Sequence, residues 1–192
     1  MNRALVPSSL PVQAPEAISQ REYQLLKGAM GSWRNILILK TLRATGLRIS
    51  EVLRLTPIHL KVGHEIDFYL LIQRGKKIGK AAVFEPVYLP PELGVELNDY
   101  IKGLRLSPGD KIFPITPRQV ERIFAAAGLK ALGRKVHPHE LRGLYIKTLI
   151  DGGLPVAVAS KMVGHNSEQT TLKWYYKLTS EQRWEIQKRI PV

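Results

Sequence analysis

No cysteine occurs anywhere in the 192 residues. The chain therefore has no disulfide, no thiolate nucleophile and no cysteine-based metal site, and it suits a reducing compartment. Long apolar runs are missing as well. The longest purely aliphatic stretch is Ile36-Leu37-Ile38-Leu39, far short of the ~20 apolar residues that cross a bilayer. The N-terminus carries Asn2, Arg3 and then prolines, without the apolar block and small-residue cleavage site of a secretory signal. A phosphate-cradling Gly-Lys-Ser/Thr loop is also lacking. Acidic residues are scarce, 16 against 29 Lys and Arg, which leaves a net charge of +13. Such an imbalance points to a polyanionic partner, the plain alternative being charge that serves only solubility. The length suits one globular domain.

Prolines at 7, 11 and 15, with Ser8 and Ser9, prevent a continuous helix, so residues 1–18 read as an arm or linker. Order begins at Ser19, where Glu22 three residues on completes a capping-box pattern for a helix to about Ala29. From Trp33, the residues Ile36, Leu37, Leu39 and Leu42 recur at helical spacing, and Gly46 supplies the stop. A short helix around Ile49, Val52 and Leu53 closes before Pro57. Between about Ile66 and Leu89 the composition turns β-like, predicting a hairpin whose Gly75–Lys80 loop carries Lys76, Lys77 and Lys80, with Pro86 marking an irregular or edge strand. Further helices are predicted at 91–103, 117–127 with Thr116 as N-cap, 139–150, 156–162, 169–176 and 180–190. The fold class is mainly α with a small antiparallel β-sheet or hairpin.

Three segments could carry chemistry. In Ala44-Thr45-Gly46-Leu47-Arg48-Ile49-Ser50-Glu51-Val52, a helix ends at glycine and Arg48 sits at the junction with the next. Glu51 is placed to orient its guanidinium, which then offers paired donors to a phosphate; the plain alternative is a solvated arginine. In His137-Pro138-His139-Glu140-Leu141-Arg142, His139 and Arg142 lie three apart at a helix start and should share a face. A zinc site is the sharper rival there, but the segment offers no carboxylate or thiolate set at metal spacing. In the third, Val163-Gly164-His165-Asn166 presents His165 on a glycine turn, and Thr170-Thr171-Leu172-Lys173-Trp174-Tyr175-Tyr176-Lys177-Leu178 presents adjacent aromatics on a helix. Taken alone, such tyrosines are more often packing residues than nucleophiles.

In their order and spacing, Gly46-Leu47-Arg48-Ile49-Ser50-Glu51, the Gly75-Lys76 hairpin, Pro138-His139-x-Leu141-Arg142 and Gly164-His165 followed by a tyrosine resemble the tyrosine recombinase or phage integrase family. The resemblance covers roughly residues 18 to 190 and implies a recombinase catalytic-domain fold over 19–192. It implies that Arg48 and Arg142 bind the scissile phosphate, that Lys76 protonates the leaving 5′ oxygen, that His139 helps deprotonate the tyrosine, and that His165 bonds a phosphate oxygen. The tyrosine would attack to give a 3′-phosphotyrosyl link and a free 5′ hydroxyl, with strand exchange through a Holliday junction. Those roles also make physical sense. Converging guanidinium and imidazole donors neutralise a pentavalent phosphate without a metal, and a phenol with pKa near 10 needs a base and a cationic neighbourhood to attack. No cofactor, metal or ATP is implied.

Many family members place the nucleophile nine residues after the Gly-His histidine, a position occupied here by Trp174. The pattern Thr171-Leu172-x-x-Tyr175-x-x-Leu178 matches the variant with the tyrosine ten residues on, so Tyr175 is the preferred nucleophile and Tyr176 the alternative. Adjacent helical positions differ by ~100° in direction, so only one of them faces the phosphate. Lys77 and Lys80 share the hairpin with Lys76 and join the expected DNA contacts. Gly143 stands where the family commonly has a second histidine. The family's usual N-terminal DNA-clamping domain is expected to be absent, leaving only the arm. Double-stranded DNA is the expected partner, with no membrane. Dimers or tetramers are expected on it, possible docking elements being Trp184, Ile186 and Ile190 on a basic C-terminal helix, which equally well packs in cis. The expected location is the cytoplasm, in association with the nucleoid of a prokaryote or within a virus-infected cell. Two other readings share the residues: a type IB topoisomerase relaxing supercoils, and a catalytically silent DNA-binding regulator of the same fold.

Overall fold

The computed structural model describes residues 18–63, 68–73 and 84–164. Seven helices and three strands run through them: α1 (Gln20–Gly28), α2 (Trp33–Thr45), α3 (Ile49–Val52), β1 (Leu60–Val62), β2 (Phe68–Gln73), β3 (Phe84–Leu89), α4 (Pro91–Gly103), α5 (Pro117–Leu132), α6 (Pro138–Asp151) and α7 (Val156–Met162). A single 3-10 turn, Pro57–His59, precedes β1. The architecture is mainly helical with one small antiparallel sheet, as the sequence predicted.

The centre of the molecule is α2. Leu37, Ile38, Leu39 and Leu42 are all buried, so this helix is apolar around most of its circumference and packs against α3, α4 and α6. Its buried Thr41 and Thr45 hydroxyls donate to the carbonyls of Leu37 and Thr41, at 2.8 and 2.6 Å, leaving neither hydroxyl unsatisfied. The capping box at Ser19 forms as predicted: Glu22 N–H donates to Ser19 Oγ, and Ser19 N–H to Glu22 Oε2. Thr116 and Gln119 do the same for α5.

The sheet has the order β1-β2-β3 and is antiparallel throughout. Along β2 the side chains alternate, with Phe68, Leu70 and Ile72 facing the core. Pro86 pairs opposite Leu71 on the edge strand β3, where a missing N–H can be tolerated. Gly94 lets α4 approach the sheet, because a Cβ there would overlap the Phe68 ring.

Two features differ from the sequence reading. A third strand, β1, joins the predicted hairpin; it is only three residues long and too short to show a period. Helix α5 does not stop at Ala127 but continues through Gly128 to Leu132, with Gly133 as the left-handed cap at φ 68°. Gly128 is there for packing. An added Cβ would lie 2.7 Å from the carbonyl of Arg134 and 2.8 Å from Val136 N, so the 134–136 segment rests directly on the helix.

One apolar cluster gathers most elements, and a smaller one, Ile146, Ile150, Ala159 and Val163, joins α6 to α7. No helix among the described residues is long and apolar enough to cross a membrane. The Gly75–Lys80 loop with Lys76, Lys77 and Lys80, the residues His165, Tyr175 and Tyr176, the helices predicted at 169–176 and 180–190, and residues 1–17 of the arm lie outside the described residues.

Candidate functional site

The site is assembled where the α2–α3 junction, the first two turns of α6 and the end of α7 meet. Helix α2 ends because Gly46 takes φ 61°, a left-handed conformation that costs a side-chain-bearing residue about 1–2 kcal/mol. A Cβ at Gly46 would also overlap the ring of Tyr145 on α6. Glycine is therefore required twice over, once by the turn and once by the neighbouring helix. Sequence reading found the stop but not Tyr145, whose contact is invisible to any local pattern.

Arg48 caps α3 from an extended conformation and keeps about half of its side chain exposed. Glu51, buried beneath it, accepts from Arg48 N–H at 2.7 Å and from its Nη1 at 3.4 Å. The carboxylate thus holds both the backbone and the guanidinium, as the i,i+3 spacing predicts. From the other side, Arg48 Nη2 donates to the carbonyl of Gly164 at 3.0 Å.

Arg142 occupies a different environment. Only 1 % of it is exposed, which makes it one of the largest fully buried side chains. Its Nη1 donates to Gly46 O and its Nη2 to Val163 O, both at 2.5 Å. A buried guanidinium needs such acceptors, because an uncompensated charge in the interior costs several kcal/mol. Gly164 then turns the chain with φ 67°, immediately before His165. The two arginines therefore donate to consecutive carbonyls.

His139, one turn before Arg142, retains solvent contact. Its pKa nonetheless falls below the ordinary histidine value of 6.5, first because protein packs against the ring, then because the guanidiniums of Arg142 and Arg48 repel an added proton. The neutral imidazole, able to accept a proton, is thereby favoured. Glu140, buried between His139 and Arg142 in sequence, caps the helix by accepting from His137 N–H at 2.7 Å. The described residues contain no grouping of three or more histidine and carboxylate side chains fit to hold a metal ion.

Beside this cluster lies a surface that motif reading missed. A depression of about 460 Å³ is lined by Ser50, Arg54, Lys111 and Thr116 among others, and it adjoins through Ile115 a second of about 460 Å³ bearing Arg34, Gln119 and Arg122. Through Arg54 it adjoins a smaller cavity of about 260 Å³ that contains Glu51, His59 and Gln73. Arginines and a lysine from four separate parts of the chain line these neighbouring depressions, so no single segment announces the grooved surface.

Comparison with known proteins identifies the family and the fold. The profile of the phage integrase family matches residues 16–182. A Sinorhizobium fredii protein named as an integrase/recombinase is 34% identical over 167 residues, covering 84% of this chain and 52% of that protein. The tyrosine recombinase XerA of Pyrococcus furiosus is 28% identical over 185 residues, covering 90% of this chain and 60% of its own. The chain thus spans 52% to 60% of the length of these relatives. Among solved structures, a XerA recombinase superposes with a TM-score of 0.73 at 24% identity, over 97% of this chain and 68% of that one. A XerH site-specific recombinase bound to its difH substrate, a pre-cleavage complex, gives 0.70 at 19%, over 93% and 53%. At those identities the superpositions speak for the fold.

Proposed function

The chain belongs to the phage integrase family, and from that premise we propose that it is the catalytic domain of a tyrosine-type site-specific recombinase that cuts and rejoins double-stranded DNA. The observation that carries the reading is the meeting of Arg48 and Arg142 at the carbonyls of Val163 and Gly164, next in sequence to His165. Three motifs far apart in the chain converge there on one small volume. Two guanidiniums and an imidazole of lowered pKa at one place suit a phosphodiester that must gain negative charge in its transition state.

In this proposal Arg48 and Arg142 hold the non-bridging oxygens of the scissile phosphate, and His165 bonds one of them. The phenol oxygen of Tyr175 attacks phosphorus while its proton passes to His139. The bond from phosphorus to the 5′ oxygen breaks, and Lys76 supplies the proton that the leaving oxygen takes up. A 3′-phosphotyrosyl ester and a free 5′ hydroxyl result. Attack by the 5′ hydroxyl of a partner strand reverses the chemistry, so the phosphodiester energy is conserved and no ATP is consumed.

The assignment of Lys76, His165 and Tyr175 rests on sequence order and spacing, and so does the phosphate role of Arg142, which is only 1 % exposed and has both terminal nitrogens donating to carbonyls in the free chain. The basic groove through Arg54, Lys111 and Arg122 supports a path for the duplex past Arg48, with Lys76, Lys77 and Lys80 adding contacts from the hairpin. Assembly as dimers or tetramers on DNA, with the C-terminal segment around Trp184 and Ile190 docking on a neighbouring protomer, belongs to the same proposal.

The test is a nicked suicide duplex that traps the cleaved state. A protein–DNA band that survives denaturation is expected, together with its loss in Tyr175→Phe while DNA binding persists. Loss in Tyr176→Phe instead would move the nucleophile by one residue. DNA binding without any adduct would identify a silent regulator, and relaxation of supercoils by a monomer without sequence preference would identify a topoisomerase.

A further inference from the structure

Arg134 follows the left-handed cap of α5 and belongs to none of the segments that carry the family resemblance. Its guanidinium joins two helix caps. Nη1 donates to Glu140 Oε2 at 2.8 Å and Nη2 to Glu22 Oε1 at 3.1 Å. The second oxygen of each carboxylate is already engaged, Glu140 Oε1 accepting from His137 N–H and Glu22 Oε2 from Ser19 N–H. One arginine thereby ties the first turn of α6 to the first turn of α1, and its own backbone is pressed onto α5 at Gly128. Each carboxylate is divided in the same way between a cap and the shared cation.

The consequences fall on His139, which lies between His137 and Glu140 in that first turn. Glu140 is only 4 % exposed, so its Arg134 partner compensates a charge that would otherwise be poorly solvated. Hydrogen bonds from Ser19 and Arg134 hold the Glu22 carboxyl below its ordinary range even though burial pushes it upward. The Glu22 end of the bridge is therefore anionic at neutral pH. A helix N-terminus held by its cap alone is free to fray, whereas one also tied to two other helices is not.

We propose that Arg134 is a positioning residue for His139, holding the first turn of α6 in the register that sets the imidazole beside Arg48 and Arg142. What His139 does once placed there rests on the strand-transfer reading above. Arg134 itself has no contact with the reacting atoms in this account; it acts through Glu140 and the helix turn.

The test compares Arg134→Met, Arg134→Lys and Glu22→Gln with the parent chain, following adduct formation on suicide DNA, DNA affinity, thermal melting and the His139 titration by NMR. Arg134→Met is expected to slow adduct formation about ten- to hundredfold, the scale of an ångström-level misplacement, with DNA affinity unchanged. Arg134→Lys should recover part of that loss, since an ammonium reaches one carboxylate but does not bridge both with a planar fork. The titration separates positioning from bare electrostatics. Glu22→Gln keeps an oxygen for the Ser19 cap and removes a negative charge, which by charge alone would lower the His139 pKa. Loss of register frees the ring from packing and from the guanidiniums and raises it. A rise in Glu22→Gln, and in Arg134→Met where that variant folds, is the expected result. A fall or no change in Glu22→Gln overturns the proposal, as does wild-type adduct formation by Arg134→Met. If the parent chain forms no adduct, the strand-transfer reading fails, and the Glu22→Gln titration still decides whether Arg134 holds His139 in place.

Discussion

Arg142 donates from Nη1 to the carbonyl oxygen of Gly46, 96 positions earlier in the chain, at 2.5 Å. Its other terminal nitrogen reaches Val163, so one buried side chain joins the α2–α3 junction to the end of α7. Arg48 repeats the connection from the surface through Gly164. Among the described residues the α7 end rests on a small apolar cluster, and these polar links join it in placing the segment that leads to His165.

Arg142→Met therefore removes a structural tie as well as a charge. It leaves the carbonyls of Gly46 and Val163 without this donor in the interior, at about 1–3 kcal/mol for each group left unsatisfied. A lower midpoint in urea denaturation is expected. Arg48→Met, at a side chain about half exposed, should cost about 1 kcal/mol or less, so the two arginines are expected to differ in stability while both abolish adduct formation. Equal stability costs would contradict the burial difference.

Gly46→Ala meets both a left-handed backbone and the Tyr145 ring. Destabilisation of about 1–3 kcal/mol is expected from strain of this kind. The double variant Gly46→Ala/Tyr145→Ala relieves the overlap but not the backbone strain, so its cost should be less than the sum of the two singles. Additive costs in denaturation experiments would show that the ring and the turn are not coupled.

The His139 titration should respond to its neighbours. Arg48→Gln removes one of the two charges that disfavour the imidazolium, so the pKa rises, yet stays below 6.5 because packing and Arg142 remain. NMR of the ring protons measures it directly. The sign for stability follows as well. With a lowered folded pKa, this group's contribution is fully present above 6.5 and is lost as pH falls through the folded value, because the unfolded chain takes up the proton first.

Binding to duplex DNA should weaken steeply with salt. If Arg54, Lys111 and Arg122 contact phosphates along the groove, neutralising each lowers the slope of log K against log salt by about 0.9. A neutral substitution at Lys130, exposed in the last turn of α5 outside the groove, is expected to leave the slope unchanged. Slopes that do not distinguish the two groups would place the duplex elsewhere.

Local signals were legible from the sequence wherever a few neighbouring residues decide the outcome. Ser19 with Glu22, Thr116 with Gln119, and Gly46 mark helix boundaries because caps and left-handed turns depend on residues within one turn of each other. Glu51 was found as the partner of Arg48 for the same reason, being on the adjacent turn. Strand β1 escaped because its three residues gain their structure from pairing with β2. The continuation of α5 escaped because Gly128 reads as a stop, when it is required by Arg134 and Val136 crossing the helix from outside.

The sequence by itself determined the family, the helical class and the caps, and it supplied the residues proposed to handle a phosphate. Each depends on residue type and short spacing, which the chain carries whatever its fold. Only the tertiary structure decided that Arg48 is exposed while Arg142 is buried, that both donate to successive carbonyls beside Gly164, and that Arg134 links two caps. Two arginines of the same chemistry differ there because burial and hydrogen-bond partners come from segments far apart in the chain, and no local pattern specifies which carbonyl a guanidinium will meet.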